Sequence, residues 1–257
     1  MGALSVRRVS LQRREVVKGV LILGATLGGV VDDGNSFPEP EPEPEPEPSP
    51  EPEPEPEPVQ TVFRRGDSGD AVGSIQQRLA ASGYWCGAQD NFYGHLTEQA
   101  VFAIQKANGL YRDGVVGPNV NAALDSGYRH PPASNGDYIE VNKARQLLLV
   151  VRGGATSMTF NTSTANGEPY EFEGRDYTAR TPTGDFNVWH TYSSGWQDGE
   201  LGEMYRPMYY SGNYAIHGSA FIPPYPASHG CSRLSSAAMD MFWNEGIMSM
   251  GTRVLVV

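Results

Sequence analysis

Between residues 72 and 124 apolar side chains recur at the spacing of a helix. Val72, Ile75 and Leu79 share one face ahead of Gly83, and Ala100, Val101 and Ile104 share another ahead of Gly109, which predicts two amphipathic helices each closed by a glycine. Thr97 stands where an N-cap is expected, with Leu96 and Val101 as the hydrophobic staple across it. Pro118 suits the first turn of a third helix ending near Gly127. Within this stretch Asp90, Gly94, Thr97 and Ala100 return as Asp113, Gly117, Val120 and Ala123, at a period of 23 residues. After a Pro-, Ser- and Gly-rich loop at 129–136 the pattern becomes that of strands. Residues 138–141 and 146–151 predict a hairpin, and 157–162, 184–191, 213–217 and 252–257 predict further strands. One late helix over 236–245 carries Met239, Phe242 and Trp243 on its apolar face. The expected architecture is multidomain: a small all-α three-helix domain at 61–128, then a mainly-β, sandwich-like domain at 137–257.

Two other segments precede these domains. Residues 1–36 combine a basic stretch (Arg7, Arg8, Arg13, Arg14, Lys18) with an apolar run from 19 to 31, too short to span a bilayer comfortably, and read as an export signal or membrane anchor. The run from Gln12 to Lys18 resembles the twin-arginine motif, which implies export in the folded state to the cell envelope. Residues 37–60 are a linker of almost pure Glu-Pro alternation, which forbids helix and sheet ladder alike. At about 3.1 Å per residue in polyproline geometry it reaches roughly 60 Å.

Apportioning the charge changes its meaning. Nine of the 30 acidic residues lie in the Glu-Pro repeat, so of the formal net charge of −11 only −4 falls on residues 59–257. No clustered Lys and Arg stand ready for phosphates, and nucleic acid is excluded as a partner. The two cysteines, Cys86 and Cys231, are too few for a disulfide scaffold, and at least one is expected to serve thiol chemistry. Cys86, in an aromatic segment without a neighbouring histidine, reads as a buried small hydrophobe.

The helical segment carries Gly69, Val72, Ile75-Gln76, Leu79, Gly83-Tyr84, Asp90, Phe92-Tyr93-Gly94, Thr97, Ala100-Val101, Ile104-Gln105, Gly109-Leu110 and Asp113 through Pro118. In this it resembles the peptidoglycan-binding domain family, with Asn91 where that family usually has glycine. The resemblance implies a three-helix module that docks on cell-wall glycan and peptide. Tyr84, Trp85, Phe92 and Tyr93 are either exposed platforms for sugars or parts of the core.

The chemistry concentrates in Ile216-His217-Gly218-Ser219 and Ser228-His229-Gly230-Cys231-Ser232-Arg233. A cysteine attacks a carbonyl as the thiolate, and a nearby imidazole can take its proton and depress its pKa. Gly230 is expected to let the chain turn sharply, so that the N–H groups of His229, Gly230 and Cys231 converge on an oxyanion. A zinc site on His217, His229 and Cys231 would use the same residue types but lacks a fourth ligand.

Together with Ala179-Arg180-Thr181-Pro182-Thr183-Gly184, these blocks resemble the L,D-transpeptidase catalytic domain. The resemblance implies Cys231 as nucleophile, His217 as general base and the Gly218 carbonyl as its orienter. It also implies oxyanion donors from His229, Gly230 and Cys231, with Arg233, Ser228 and Tyr209 or Tyr210 toward the substrate. Arg233 could equally be a structural ion-pair partner, and His229 could brace the turn. The implied reaction takes a tetrapeptide stem, releases its terminal D-alanine from an acyl-enzyme and passes the acyl group to an amine on a neighbouring stem, with no metal and no cofactor. The alternatives are an L,D-carboxypeptidase and a wall-binding protein without activity. His95, His130 and His190 are expected to be structural or solvated. The segment 193–210 is expected to be either a lid or a packed loop.

Overall fold

The computed structural model describes residues 61–199 and 201–257. The export and Glu-Pro segments lie outside the described residues. Three helices come first, α1 (Asp70–Ala81), α2 (His95–Ala107) and α3 (Pro118–Ser126). The 23-residue repeat has a physical basis. The buried Gln76 of α1 donates to Asp90 and to the Phe92 carbonyl and accepts from the Asn91 amide, while Gln105 of α2 does the same for Asp113, the Val115 carbonyl and the Gly114 amide. Both turns pass through left-handed backbone, at Asn91 (φ 62°) and Gly114 (φ 71°), which explains why glycine is usual there and asparagine tolerated.

One expectation for this domain is corrected. Helix α2 starts at His95 with Gly94 as its N-cap, so Thr97 lies inside the first turn, buried, where its hydroxyl accepts from Gln76 at 3.1 Å. Tyr84 and Tyr93 are core residues, each donating its hydroxyl to a backbone carbonyl, Tyr128 and Gly114 respectively. Of the four aromatics only Phe92, 49% exposed, presents a large open face. Cys86 is buried as expected; burial pushes its thiol up to about 11.

The rest is mainly β. The strands are β1 (Tyr138–Asn142), β2 (Leu147–Arg152), β3 (Ala155–Asn161), β4 (Pro169–Phe172), β5 (Arg175–Thr178), β6 (Gly184–Asn187), β7 (His190–Thr191), β8 (Trp196–Gln197), β9 (Met204–Ser211), β10 (Tyr214–Ser219), β11 (Ser232–Ser235) and β12 (Arg253–Val256), with α4 (Ser236–Asn244) between the last two. One sheet runs β3-β2-β1-β12-β6 and another β11-β10-β9-β7, with β8 also paired to β9; β4 and β5 form a separate hairpin. The expected strand 184–191 is two, one in each sheet, because the chain switches sheets at Val188-Trp189. Strand β9 was not expected, since Pro207 interrupts its pattern. It is tolerated where Arg206 takes φ 49° and the ladder to β10 shifts register.

Strand β2 reads Leu147-Leu148-Leu149-Val150-Val151, with no polar alternation. Such a run needs both faces covered. Leu148 and Val150 join Ile139, Met208, Ile216, Leu234 and Phe242 in the core between the sheets and α4, while Leu147, Leu149 and Val151 join Ile75, Leu79, Ile104 and Leu124 of the helices. The helical and β parts therefore share a core. Lys106 of α2 crosses that junction: it is 1% exposed, and its ammonium donates to the Gln146 and Thr162 carbonyls and to Asn161. No carboxylate pairs with it among the described residues, and burial holds its pKa well below the usual lysine range.

Lys106→Met should therefore destabilise the protein without unfolding it. Gln146 keeps a second donor, the Thr162 amide, but the Thr162 carbonyl and the Asn161 side-chain oxygen lose theirs. At about 1–3 kcal/mol for each orphaned acceptor, less the relieved burial of the amine, the loss is about 3 kcal/mol. That corresponds to a Tm lower by roughly 6–12 °C. Calorimetry should show one transition for residues 61–257, displaced downward. An unchanged Tm, or separate melting of helical and β parts, would contradict the shared core.

Candidate active site

Strands β10 and β11 run parallel, with Ile216 opposite Ser232, His217 opposite Arg233 and Gly218 opposite Leu234. Side chains alternate along a strand, so Ile216, Ser232 and Leu234 point inward while His217, Arg233 and, one residue before β11, Cys231 share the other face. That face continues onto β9 and β7, where Tyr209 lies opposite Ala215 and His190 opposite Tyr209. Three blocks distant in sequence thus meet on one sheet surface.

The segment leading into Cys231 is held by groups with no assigned part in the sequence analysis. The Thr164 carbonyl accepts the amides of Ala227 and Ser228, each at 2.9 Å, and Ser163 donates to the Tyr225 carbonyl at 2.8 Å. Thr181 donates to the Gly230 carbonyl at 2.7 Å while accepting from the Ala165 amide. From the helical domain, Gln99 donates to the Ile222 carbonyl and Arg112 to the Pro224 carbonyl. Carbonyls of an irregular segment that are turned into the protein must be satisfied, and side chains of neighbouring elements do this. The signal available in sequence was the run Thr162-Ser163-Thr164, polar yet buried throughout.

Two predicted site residues serve this scaffold. Ser228 is buried, donates to the Cys231 carbonyl at 2.6 Å and accepts the Gly230 amide at 3.1 Å, so it shapes the turn and faces no open space. The Gly230 amide is thereby occupied, against the expectation that it joins those of His229 and Cys231 as an oxyanion donor. Gly230 is needed for close approach and not for a left-handed turn: a Cβ there would sit 2.4 Å from the Tyr214 ring and 3.1 Å from the Arg180 carbonyl.

His217 is buried, and its Nδ1 lies 2.8 Å from the Gly218 carbonyl. A carbonyl only accepts, so Nδ1 carries the proton and Nε2 keeps its lone pair. Burial pulls the imidazole down to about 4; the Gly218 bond opposes this and the Arg233 charge adds to it. The Cys231 thiol is pushed up by burial, against a hydrogen bond from the Ala215 backbone and the Arg233 charge. Burial thus works against the charged form of both groups, opposing the depression of the thiol that an adjacent imidazole would give. The sulfur faces the Asn213 carbonyl at 3.7 Å. Arg233 makes no ion pair among the described residues.

The L,D-transpeptidase catalytic domain model matches residues 136–256, and a peptidoglycan binding domain model matches 68–124. The crystal structure of an L,D-transpeptidase from Xylanimonas cellulosilytica DSM 15894 is 49% identical, aligns with a TM-score of 0.75, and covers 79% of this chain and 100% of that one. The chain belongs to the L,D-transpeptidase family. N-acetylmuramoyl-L-alanine amidase CwlL of Bacillus licheniformis is 40% identical over 81 residues, 30% of this chain and 22% of the amidase. The chain spans about a fifth of the length of the curated relatives it matches.

Around the L,D-transpeptidase site the remaining predicted residues separate. Tyr210 is 2% exposed, its ring 5.7 Å from Phe186 in the core, so of the tyrosine pair only Tyr209 faces the open side. The His229 ring packs 4.7 Å from Tyr170 of β4, a contact from a hairpin that the sequence analysis did not foresee. Within 193–210, β8 pairs with β9, and β9 is packed rather than poised as a lid: Tyr205 and Arg206 both donate to Asp240 of α4, and Arg206 lies over Trp243. An open cleft of about 570 Å³ runs along Lys143, Asn166, Arg180 and Thr183, behind the Thr181 anchor; Cys231, His217 and Arg233 do not line it. Among the described residues no group of three or more His, Cys, Asp and Glu side chains could hold a metal ion, and no helix is long and apolar enough to cross a membrane.

Proposed function

We propose that this chain crosslinks peptidoglycan stem peptides at the cell envelope through a cysteine acyl-enzyme, with residues 61–128 binding the wall and 137–257 performing the chemistry. The observation that carries the reading is the shared face of Cys231, His217 and Arg233, with the His217 lone pair left on Nε2 by the Gly218 carbonyl. Because burial works against the charged form of both thiol and imidazole, Cys231 is deprotonated as it attacks: the sulfur bonds to the carbonyl of the third stem residue while His217 takes the proton. The amides of His229 and Cys231 stabilise the oxyanion. Collapse breaks the bond to the terminal D-alanine, whose amine leaves with the proton from His217. An amine of a second stem then displaces the sulfur. Arg233, in no ion pair among the described residues, holds a substrate carboxylate, and Tyr209 lines the donor side.

Intact-protein mass spectrometry after incubation with a disaccharide-tetrapeptide is expected to show an adduct on Cys231 equal to the donor minus D-alanine. With an acceptor stem added, a crosslinked product should replace it. Release of only the free tripeptide product in the presence of acceptor would make the enzyme an L,D-carboxypeptidase. No adduct and no turnover would leave a wall-binding protein.

A further inference from the structure

Four aromatic rings form a continuous surface beside Cys231. Trp189 and Tyr192 are 53% and 43% exposed. His190 lies between them, 5.4 Å from Trp189 and 4.8 Å from Tyr192, and Tyr209 closes the group at 5.7 Å from His190. The patch contains no carboxylate, ammonium or guanidinium group. Exposed aromatic patches of this kind mark recognition surfaces.

Two features set this patch apart from scattered surface aromatics. First, Trp189 is held although exposed: its indole N–H donates to the Gly212 carbonyl at 3.2 Å and its amide to the Tyr209 carbonyl at 2.9 Å. A ring ordered in advance loses little entropy when something stacks on it. Second, the turn that holds the indole also meets the thiol. Gly212 grips Trp189 and the next residue, Asn213, turns its carbonyl to the Cys231 sulfur. Patch and nucleophile are therefore fixed to the same two residues.

We propose that Trp189, His190, Tyr192 and Tyr209 form a subsite for the N-acetylated sugar at the head of the donor stem, positioned to receive the glycan while Cys231 receives the peptide. This rests on the transpeptidase reading above. In a tetrapeptide that loses its terminal residue the acylated carbonyl belongs to the third residue, so the sugar lies three residues upstream, about 10 Å of extended chain. A pyranose presents an apolar C–H face and a polar rim, matching a patch of open ring faces whose Trp189 indole N–H is already bonded and whose tyrosine hydroxyls can meet the rim. A neutral aromatic surface suits a sugar better than the stem carboxylates, for which Arg233 stands on the same sheet.

The test compares two donors on the full chain: a disaccharide-tetrapeptide and the free tetrapeptide. Trp189→Ala should lower kcat/KM for Cys231 acylation about tenfold with the glycan-bearing donor and leave the free peptide within about twofold, chiefly through KM. Trp189→Phe should retain most of the rate, and Trp196→Ala, exposed but off the patch, should behave as the parent. In parallel, the Trp189 indole N–H resonance of Cys231→Ser protein, assigned by its disappearance in Trp189→Phe, should shift saturably with the disaccharide alone. Equal losses on both donors, no loss on either, or an unmoved resonance would each overturn the subsite. If neither donor acylates wild-type protein, the transpeptidase reading fails, and the resonance alone decides whether the patch binds sugar.

Discussion

Cys231→Ala is expected to abolish the covalent adduct and all turnover, the largest effect of any substitution in the chain. In the proposed mechanism no other group forms a covalent bond, and removing a nucleophile from a catalytic constellation costs on the order of 10⁶ in rate in the best-measured protease. Cys86→Ala serves as the control. Cys86 is buried in the helical core, its thiol directed at the Gln76 carbonyl, and its pKa is pushed up to about 11, so it carries little thiolate at neutral pH. The variant should acylate at the parental rate and lose only modest stability from one small core group. Intact mass spectrometry reads both. Acylation surviving in Cys231→Ala, or vanishing in folded Cys86→Ala, would reassign the nucleophile.

His217→Gln should reduce acylation by about 10²–10⁴, the usual contribution of a positioned general base. The pH profile is the sharper measurement. With His217 at about 4, the base is free well below the range where an ordinary imidazole protonates. The acid limb of kcat/KM should thus fall near pH 4 in the parent protein and disappear in the glutamine variant. The same depression enters stability. Between about pH 6.5 and 4 the unfolded chain binds a proton that the folded chain refuses, so stability falls as pH falls through that window, by about 3 kcal/mol in all. His217→Gln should flatten this slope in denaturant titrations. An acid limb near pH 6.5, or one that survives the substitution, would remove His217 from the role of base.

The helical half was the more legible in sequence. The stripes around Leu79 and Ile104 fall within helices α1 and α2, and Pro118 and Gly127 bound the third. Local signals suffice there because each helix closes its own hydrogen bonds. Thr97 misled because a hydroxyl near a helix start satisfies the capping pattern equally well when it belongs to the first turn and bonds to a side chain from another helix. In the β half, β4, β5, β8, β9 and β11 left weak traces: they are short, largely exposed, or broken by Pro207. Their pairing depends on partners far along the chain.

For the site, the sequence by itself determined the candidate set: His217-Gly218 and His229-Gly230-Cys231-Ser232-Arg233 carry their chemistry in residue type, and folding cannot change which side chains are able to act as nucleophile or base. It also determined that β2 must be covered on both faces, since Leu147 through Val151 leave no polar side to water. What covers them was decided by the tertiary structure, as was the burial of Lys106 at the junction. Charge state was decided there too. An adjacent imidazole lowers a thiol pKa in water-accessible surroundings, yet here burial works the other way, raising the Cys231 thiol and lowering the His217 imidazole. The same holds for Ser228 and Tyr210, reactive or polar by type but turned inward by register and hydrogen bonding. Residue identity sets what a group can do; solvation and direction, which arise only when distant segments meet, set what it does.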